Sequence, residues 1–475
     1  MQLMLALLVV MNTATASNVA AQSATVWYVD HQASGENDGS SWDNAFNDLA
    51  EALDNAEAGA EVWVAAGLYT PANASSSFNL GTGVALYGGF NGTEDERDAR
   101  NWTANQTILS GDVDGNDLAE IPTLPNQIVG DNAGPILVAN AAGPETRVDG
   151  FTVTAGTAAN GAGMRLTNGT VMVLENIDFL GNFAGSNNEG ILDIDNASPR
   201  LNQVRFLNNV AQRGGAIRIQ GSNSAPVLTR LHFENNRALN NGGALYMPSN
   251  EGQAIPSATL INASFLGNQA SEGGAITCDG CLLSIANGLF VGNVATSSGG
   301  MMQNVNDGDV TLTNVTVWSN RPTNNFGAIA HFNASTTLHN SLFWDNGSNN
   351  AIGDFDTAVT ASHSLVQFRP GGADGNLNGM DPANTPQVVR LPNLPGFDFG
   401  DLRMLAGSPT IGQGSNALLP ADEFDINDNG DTSEPLPLDL DGNTRVVGGT
   451  IDLGPFEYDE LLNLIFRDRF QEPEA

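Results

Sequence analysis

An aromatic or apolar residue followed three places later by Asn recurs seven times between Phe179 and Asn346. The pairs are Phe179/Asn182, Phe206/Asn209, Phe233/Asn236, Phe265/Asn268, Phe290/Asn293, Val317/Asn320 and Phe343/Asn346, at steps of 27, 27, 32, 25, 27 and 26 residues. A second motif keeps the same beat: GGAI at 214–217, GGAL at 242–245, GGAI at 273–276, GGMM at 299–302 and a shortened GAI at 327–329. A repeat of this length is one supersecondary unit that cannot bury its apolar face alone, so the chain must stack its units into a solenoid.

The unit itself says which solenoid. Residues 214–241 read as a Gly-Gly bend, a strand through Ile217 and Ile219, a polar loop and a second strand ending at Phe233. Alternation predicts that Val227, Thr229, Leu231 and Phe233 share one face. Coils stacked about 4.8 Å apart would then align Phe over Phe in an inward stack and Asn over Asn in an amide ladder. Asn and Gly also tolerate the left-handed backbone of sharp turns. The β-branched content and the lack of a 3.6-residue period exclude helical repeats, and a propeller blade needs about 40 residues. The expected fold is all-β, a parallel β-helix, right-handed because parallel crossovers are.

The chain divides by pattern. Residues 1–21 hold a short apolar run, MQLMLALLVV, followed by small residues, the form of a secretory signal peptide. Residues 25–135 read as an N-terminal cap with the first coils. There Trp42, Phe46, Leu49, Leu53 and Ala56 carry a helical period, with Ser41 as cap and Gly59 past the end. Such a helix would cover the open edge that a solenoid presents. Residues 136–366 are the repeats, 367–458 a loop-rich C-terminal cap and 459–475 a tail.

Charge removes whole classes of partner. With 17 Arg, no Lys and 53 Asp+Glu the formal charge is −36, which excludes nucleic acid and disfavours anionic membrane surfaces. No later apolar run reaches the ~20 residues of a membrane-spanning helix. Cys278 and Cys281 follow a GGAI bend directly. They either staple that turn as a disulfide, as an exported protein allows, or remain two thiols.

Candidate chemistry is sparse. Asp425, Asn427, Asn429 and Asp431 repeat the Asp-x-Asn-x-Asn-Gly opening of a calcium loop, whose oxygens converge on Ca²⁺. Position twelve is Leu436 rather than Glu, so the loop is either an irregular calcium site or a solvated acidic turn. Residues 112–117 carry a weaker version. Arg205, Arg213, Arg218, Arg230 and Arg237 crowd two adjacent coils. Asp193 and Asp195 are the carboxylates closest to a hydrolase pair, and His232, His331, His339 and His363 share no spacing. Trp318 and Trp344 lie one residue after core positions and 26 apart, so they would stack outward as a sugar-contact stripe.

The paired GGAI and FxxN motifs resemble the repeats of polymorphic outer membrane proteins of bacteria. Residues 27–30 (WYVD) with Ser41 and Trp42, 65–71 (AAGLYTP) and 86–90 (LYGGF) resemble secreted β-helix proteins of the pectin-lyase-like superfamily. Residues 439–458 are similar to the terminal motif of the choice-of-anchor Q family, although Gly412 stands where that pattern has Asp after SPxI. Residues 465–470 resemble a short C-terminal element of some exported bacterial proteins. These resemblances imply a secreted or outer-membrane-associated protein, with a glycan or a host or cell-surface protein as partner. The expected role is an adhesin-like or structural one. Polysaccharide lyase or glycoside hydrolase activity is the alternative that the superfamily implies.

Overall fold

The computed structural model describes residues 24–460 apart from 186–189, 250–254, 324–326, 348–351, 353–358, 373 and 395–396. The leader reading at 1–21 and the tail element at 465–470 lie outside the described residues. The chain winds a parallel β-solenoid of about 11 turns. A typical coil has three strands, Ile217–Gln220, Val227–Glu234 and Arg237–Ala238. Each pairs in parallel with its equivalent one coil on: Ile217 with Leu245, Val227 with Thr259 and Arg237 with Gln269. The long strands build one sheet and the strands after the Gly-Gly bends a second.

The core follows from the repeat. Phe179, Phe206, Phe233, Phe265 and Phe290 stack with centroids 4.5–5.2 Å apart and planes within 12°. The seven Asn of the ladder are buried, none more than 1% exposed. Asn268 shows how they are satisfied. Its Nδ2 donates to Phe233 O and Asn293 Oδ1, both at 3.0 Å. Its Oδ1 accepts from the backbone N and Nδ2 of Asn236, also at 3.0 Å. Links of 2.7–3.3 Å run from Asn182 through Asn209, Asn236, Asn268, Asn293 and Asn320 to Asn346. Burying an amide is costly unless its groups are bonded, and here each coil bonds the next. The second Gly of each bend is a close approach: a Cβ on Gly215 would sit 2.1 Å from Gly243 O.

Three expectations are corrected. Strict alternation over 227–233 fails, because Arg230 has φ +53° and resets the phase. Leu228, Leu231 and Phe233 point inward, while Val227 is only half-buried. The N-terminal helix is short, Leu49–Asn55, and is capped by Asp48, whose Oδ1 accepts from Ala50 N at 2.8 Å. Phe46 instead bridges to Val29 as extended chain, so Ser41 does not cap it. Leu49, Ala52 and Leu53 still enter the main core.

The third correction concerns the C-terminal region. At the last coil Leu377 pairs in parallel with Leu365. The chain then leaves the end of the rod and lies along its side. An antiparallel pair, Val388–Arg390 with Asp401–Met404, is followed by a strap, 408–458, without further strands. Leu453 and Phe456 pack on Trp318 and Leu342, and Ile426 and Leu436 pack on Ile261 and Ala286. Farther back still, the Arg200 guanidinium sits 5.7 Å above the Phe424 ring. Most of the expected cap is therefore a lateral cover.

Candidate functional site: an open cleft beside a covered face

The strap divides the outward face of the long-strand sheet in two. One column of that face runs Thr152, Asp178, Arg205, His232, Ser264, Leu289, Thr316, Leu342, Leu365, each in register with the next. Its first members are charged or polar. From Leu289 onward it is mostly apolar, and Thr316, Leu342 and Leu365 are fully buried beneath the C-terminal region. Where the strap stops, a cleft of about 630 Å³ opens. Its lining includes Trp102, Gln106, Thr152, Asn176, Asp178, Gln203, Arg205, Arg230 and His232.

A second column orders this face, one that repeat reading passed over. Gly150, Asn176, Gln203, Arg230, Asn262, Asn287, Asn314, Asn340 and His363 all adopt positive φ, between 47° and 86°. Each stands three residues before the inward aromatic or Val of its coil. The corner they make interrupts the strand pairing for one residue, or splits the strand as at Asn314 and Asn340, and the register resumes unshifted beyond it. Under the strap these side chains hold main-chain carbonyls. Asn287 Nδ2 donates to Leu438 O at 2.7 Å and Asn340 Nδ2 to Ser415 O at 3.2 Å, while Ser415 N donates to Asn340 Oδ1 at 2.8 Å. Arg230 Nη2 donates to Ile426 O, the strap's last hold on this column, and the cleft begins beside it.

Electrostatics within the cleft is largely settled internally. Arg205 forks onto Asp178, Nε to Oδ1 at 2.6 Å, and that bond raises the guanidinium's already high pKa. Arg100 reaches Asp149 at 2.8 Å and also stacks on Trp102, its Cζ 5.2 Å from the ring. Asn176 donates to Asp149 Oδ1 at 2.9 Å. His232 has both ring nitrogens engaged, one with Ser264 Oγ at 2.7 Å and one with Glu234 Oε2 at 3.0 Å. Contact with His232 holds the Glu234 carboxyl below its ordinary range. Ser264 does not line the cleft. Gln203 is exposed and makes no side-chain hydrogen bond to a described residue.

The predicted residues fall as follows. Of the five clustered arginines only Arg205 and Arg230 meet at the cleft. Arg218 pairs with the buried Asp193 at 2.8 Å on the other sheet, Arg213 lies over Tyr246, and Arg237 sits on the short third sheet. Trp318 and Trp344 are in register on adjacent strands, but Trp318 is 3% exposed and both pack into the apolar cluster under the strap. The sugar-contact stripe is corrected: these rings bind this chain's own C-terminal region. Cys278 and Cys281 form a disulfide.

In the acidic loop, Asp425 accepts from Asn429 N at 2.9 Å and Gly430 N at 3.0 Å, and Asp431 from Ser433 N at 2.9 Å. The amides of Asn427 and Asn429 both donate to Glu434 Oε1, at 2.9 and 2.6 Å. These side chains close the loop on itself. Among the described residues no three His, Cys, Asp or Glu gather as a metal-holding group.

The segment 439–458 forms the strap's own centre. Arg445 is fully buried and faces Glu457 at 3.2 Å. Asp452 accepts from Gly412 N at 2.6 Å and Tyr458 N at 2.7 Å, and Asp439 from Glu457 N at 3.0 Å. Burial pushes the Glu457 carboxyl up to about 8; Arg445 opposes the shift, and Asp452 and Asp439 add to it.

The strand pairing alone makes the chain a parallel β-helix. One unit of it also matches a known repeat: residues 230–248 fit the Chlamydia polymorphic membrane protein repeat. That is less than one coil, too little to assign the whole chain. No curated protein matches it in sequence. Among solved structures it resembles the pectate lyase Pel9A, at 15% identity over 92% of this chain and 97% of that one, TM-score 0.48. A rhamnogalacturonan lyase aligns at 12% identity over 93% and 98%, TM-score 0.31. Among the described residues no helix is long and apolar enough to cross a membrane.

Proposed function

We propose that this chain is an exported bacterial surface or extracellular β-helix protein, and that its uncovered half-face binds an extended ligand, as an adhesin does. The observation that carries this reading is the asymmetry of one sheet face. The strap covers the apolar part, and the polar, aromatic-edged part is left open with side chains aimed into a cleft. A surface kept polar in register with a buried one is suited to a partner rather than to the chain's own core.

The alternative, polysaccharide degradation, finds less support in the same geometry. A glycoside hydrolase needs two carboxyl groups across the bond it cleaves, and Asp178 is the one acidic residue among those lining the cleft. A lyase needs a base, and the salt bridge to Asp178 keeps Arg205 charged. The acidic loop 425–434, which carries the calcium expectation, lies in the strap and meets the cleft's edge only through Ile426 O on Arg230, none of its residues being among the lining. The deciding experiment is a glycan and polyuronate screen of the purified chain with and without Ca²⁺, read for binding and for new unsaturated ends. Binding without turnover supports the reading, and turnover of any polyuronate replaces it with the enzymatic one.

A further inference from the structure

The strap shows what the column of left-handed corners can hold. Its anchoring acceptors are main-chain carbonyls, those of Ser415, Ile426 and Leu438, met by Asn340, Arg230 and Asn287 in turn. The left-handed corner repeats because the coil repeats, and past the strap's last hold on this column it again carries amide side chains. At the next corners stand Gln203, exposed and without a side-chain hydrogen bond to a described residue, and Asn176, which donates to Asp149 and also lines the cleft. Arg230 belongs to both stretches, bonding Ile426 O and lining the cleft.

We propose that the open end of this column receives an extended polypeptide segment of a partner protein, held through its backbone carbonyls as the strap is held. The inference rests on the binding reading above and names its ligand class. Continuity with an interface already formed inside the molecule is the reason to choose a polypeptide. The floor offers amide donors in series; of its fixed charges, Asp178 neutralises Arg205, and Arg230 is turned to the strap carbonyl of Ile426. The formal charge of −36 further selects a neutral or basic segment over an acidic one. Strand-like peptide capture in which main-chain groups give affinity and side-chain pockets give specificity is a general mode of recognition.

The test uses the full mature chain, a phage-displayed library of random peptides and, in parallel, a glycan array. Selected peptides are remade with single amide-to-ester replacements and measured against the wild type and the double variant Asn176→Ala, Gln203→Ala. Gln203 is exposed, so the variant is expected to stay folded, which its melting curve checks. The expected result is peptide binding that weakens about tenfold or more in the variant, with a comparable loss for at least one ester. Peptides that bind equally to the variant overturn the assignment. Glycans that bind the cleft with no peptide selected overturn it too, while leaving the binding reading intact. Silence on both the library and the array overturns both.

Discussion

The two halves of one sheet face differ in a single respect, whether the strap lies on them. Parallel pairing from coil to coil runs through both halves. Under the strap the column of His232 turns apolar, at Leu289 and Leu342, with Trp318 and Trp344 covered beside it; beyond the strap that column carries Asp178, Arg205 and His232. The difference teaches that the repeat specifies the scaffold, whereas its solvent-side residues record what each stretch is meant to touch. A covered stretch is stabilised by burial at about 25 cal/mol per Å² of apolar surface, while an open one keeps its polar groups for exchange with water or a partner.

The comparison breaks most severely if the shared scaffold is cut. Asn268→Ala removes both halves of an amide bonded to the coils on either side and strands the donors of Asn236. A loss of about 3 kcal/mol or more is expected in urea unfolding, because each buried unsatisfied group costs about 1–3 kcal/mol. A loss below about 1 kcal/mol would show that the ladder is decoration. Next comes a paired test of the two halves. Trp318→Ala should weaken strap docking by about 3 kcal/mol, seen as faster hydrogen exchange at 436–456. Trp102→Ala, on the exposed wall at 40% exposure, should change stability by no more than about 0.5 kcal/mol. Equal effects would erase the distinction between covered and open faces.

Reducing the Cys278–Cys281 disulfide should cost about 2 kcal/mol, since the loop it closes is short. Melting with and without reductant reads the effect. The most local effect is one of pH. The docked strap raises Glu457 from its ordinary 4.5 to about 8, so folding favours the protonated carboxyl. The stability that this proton brings is full below about pH 4.5 and is lost as pH rises through about 8. Protection of the strap against proteolysis should therefore fall across that window, and Glu457→Gln should flatten the decline. Protection that rises with pH in the wild type would contradict the assignment.

How much of this was legible depended on what repeats. The Phe stack, the Asn ladder and the Gly-Gly bends each place one residue type at one phase, and periodic reading finds them. The corner column has an equally strict phase, three before the aromatic, but its occupants range over Gly, Asn, Gln, Arg and His, because only backbone conformation is selected there. Missing it also misplaced the faces around Arg230. The strap was legible as a separate C-terminal segment, but its place along the side of the rod left no signal. Its contacts join residues as far apart as Arg230 and Ile426, 196 positions, and no local pattern encodes them. Without it Trp318 and Trp344 look like an exposed stripe. The cleft was invisible for the same reason, being defined by where the strap stops.

A stack of like coils has no natural length: duplicating or deleting one coil leaves every ladder bond and ring contact replaceable by its neighbour's. The strap is the part of the molecule that counts. It meets Asn340 at Ser415, Asn287 at Leu438 and Arg230 at Ile426, so its anchor points are fixed numbers of coils apart. A gene that gained or lost one repeat between them would still encode a rod, but the strap would no longer reach its anchors in phase. The irregular segment thus acts as a gauge, holding the copy number of the repeats beneath it constant while leaving those beyond it free to vary.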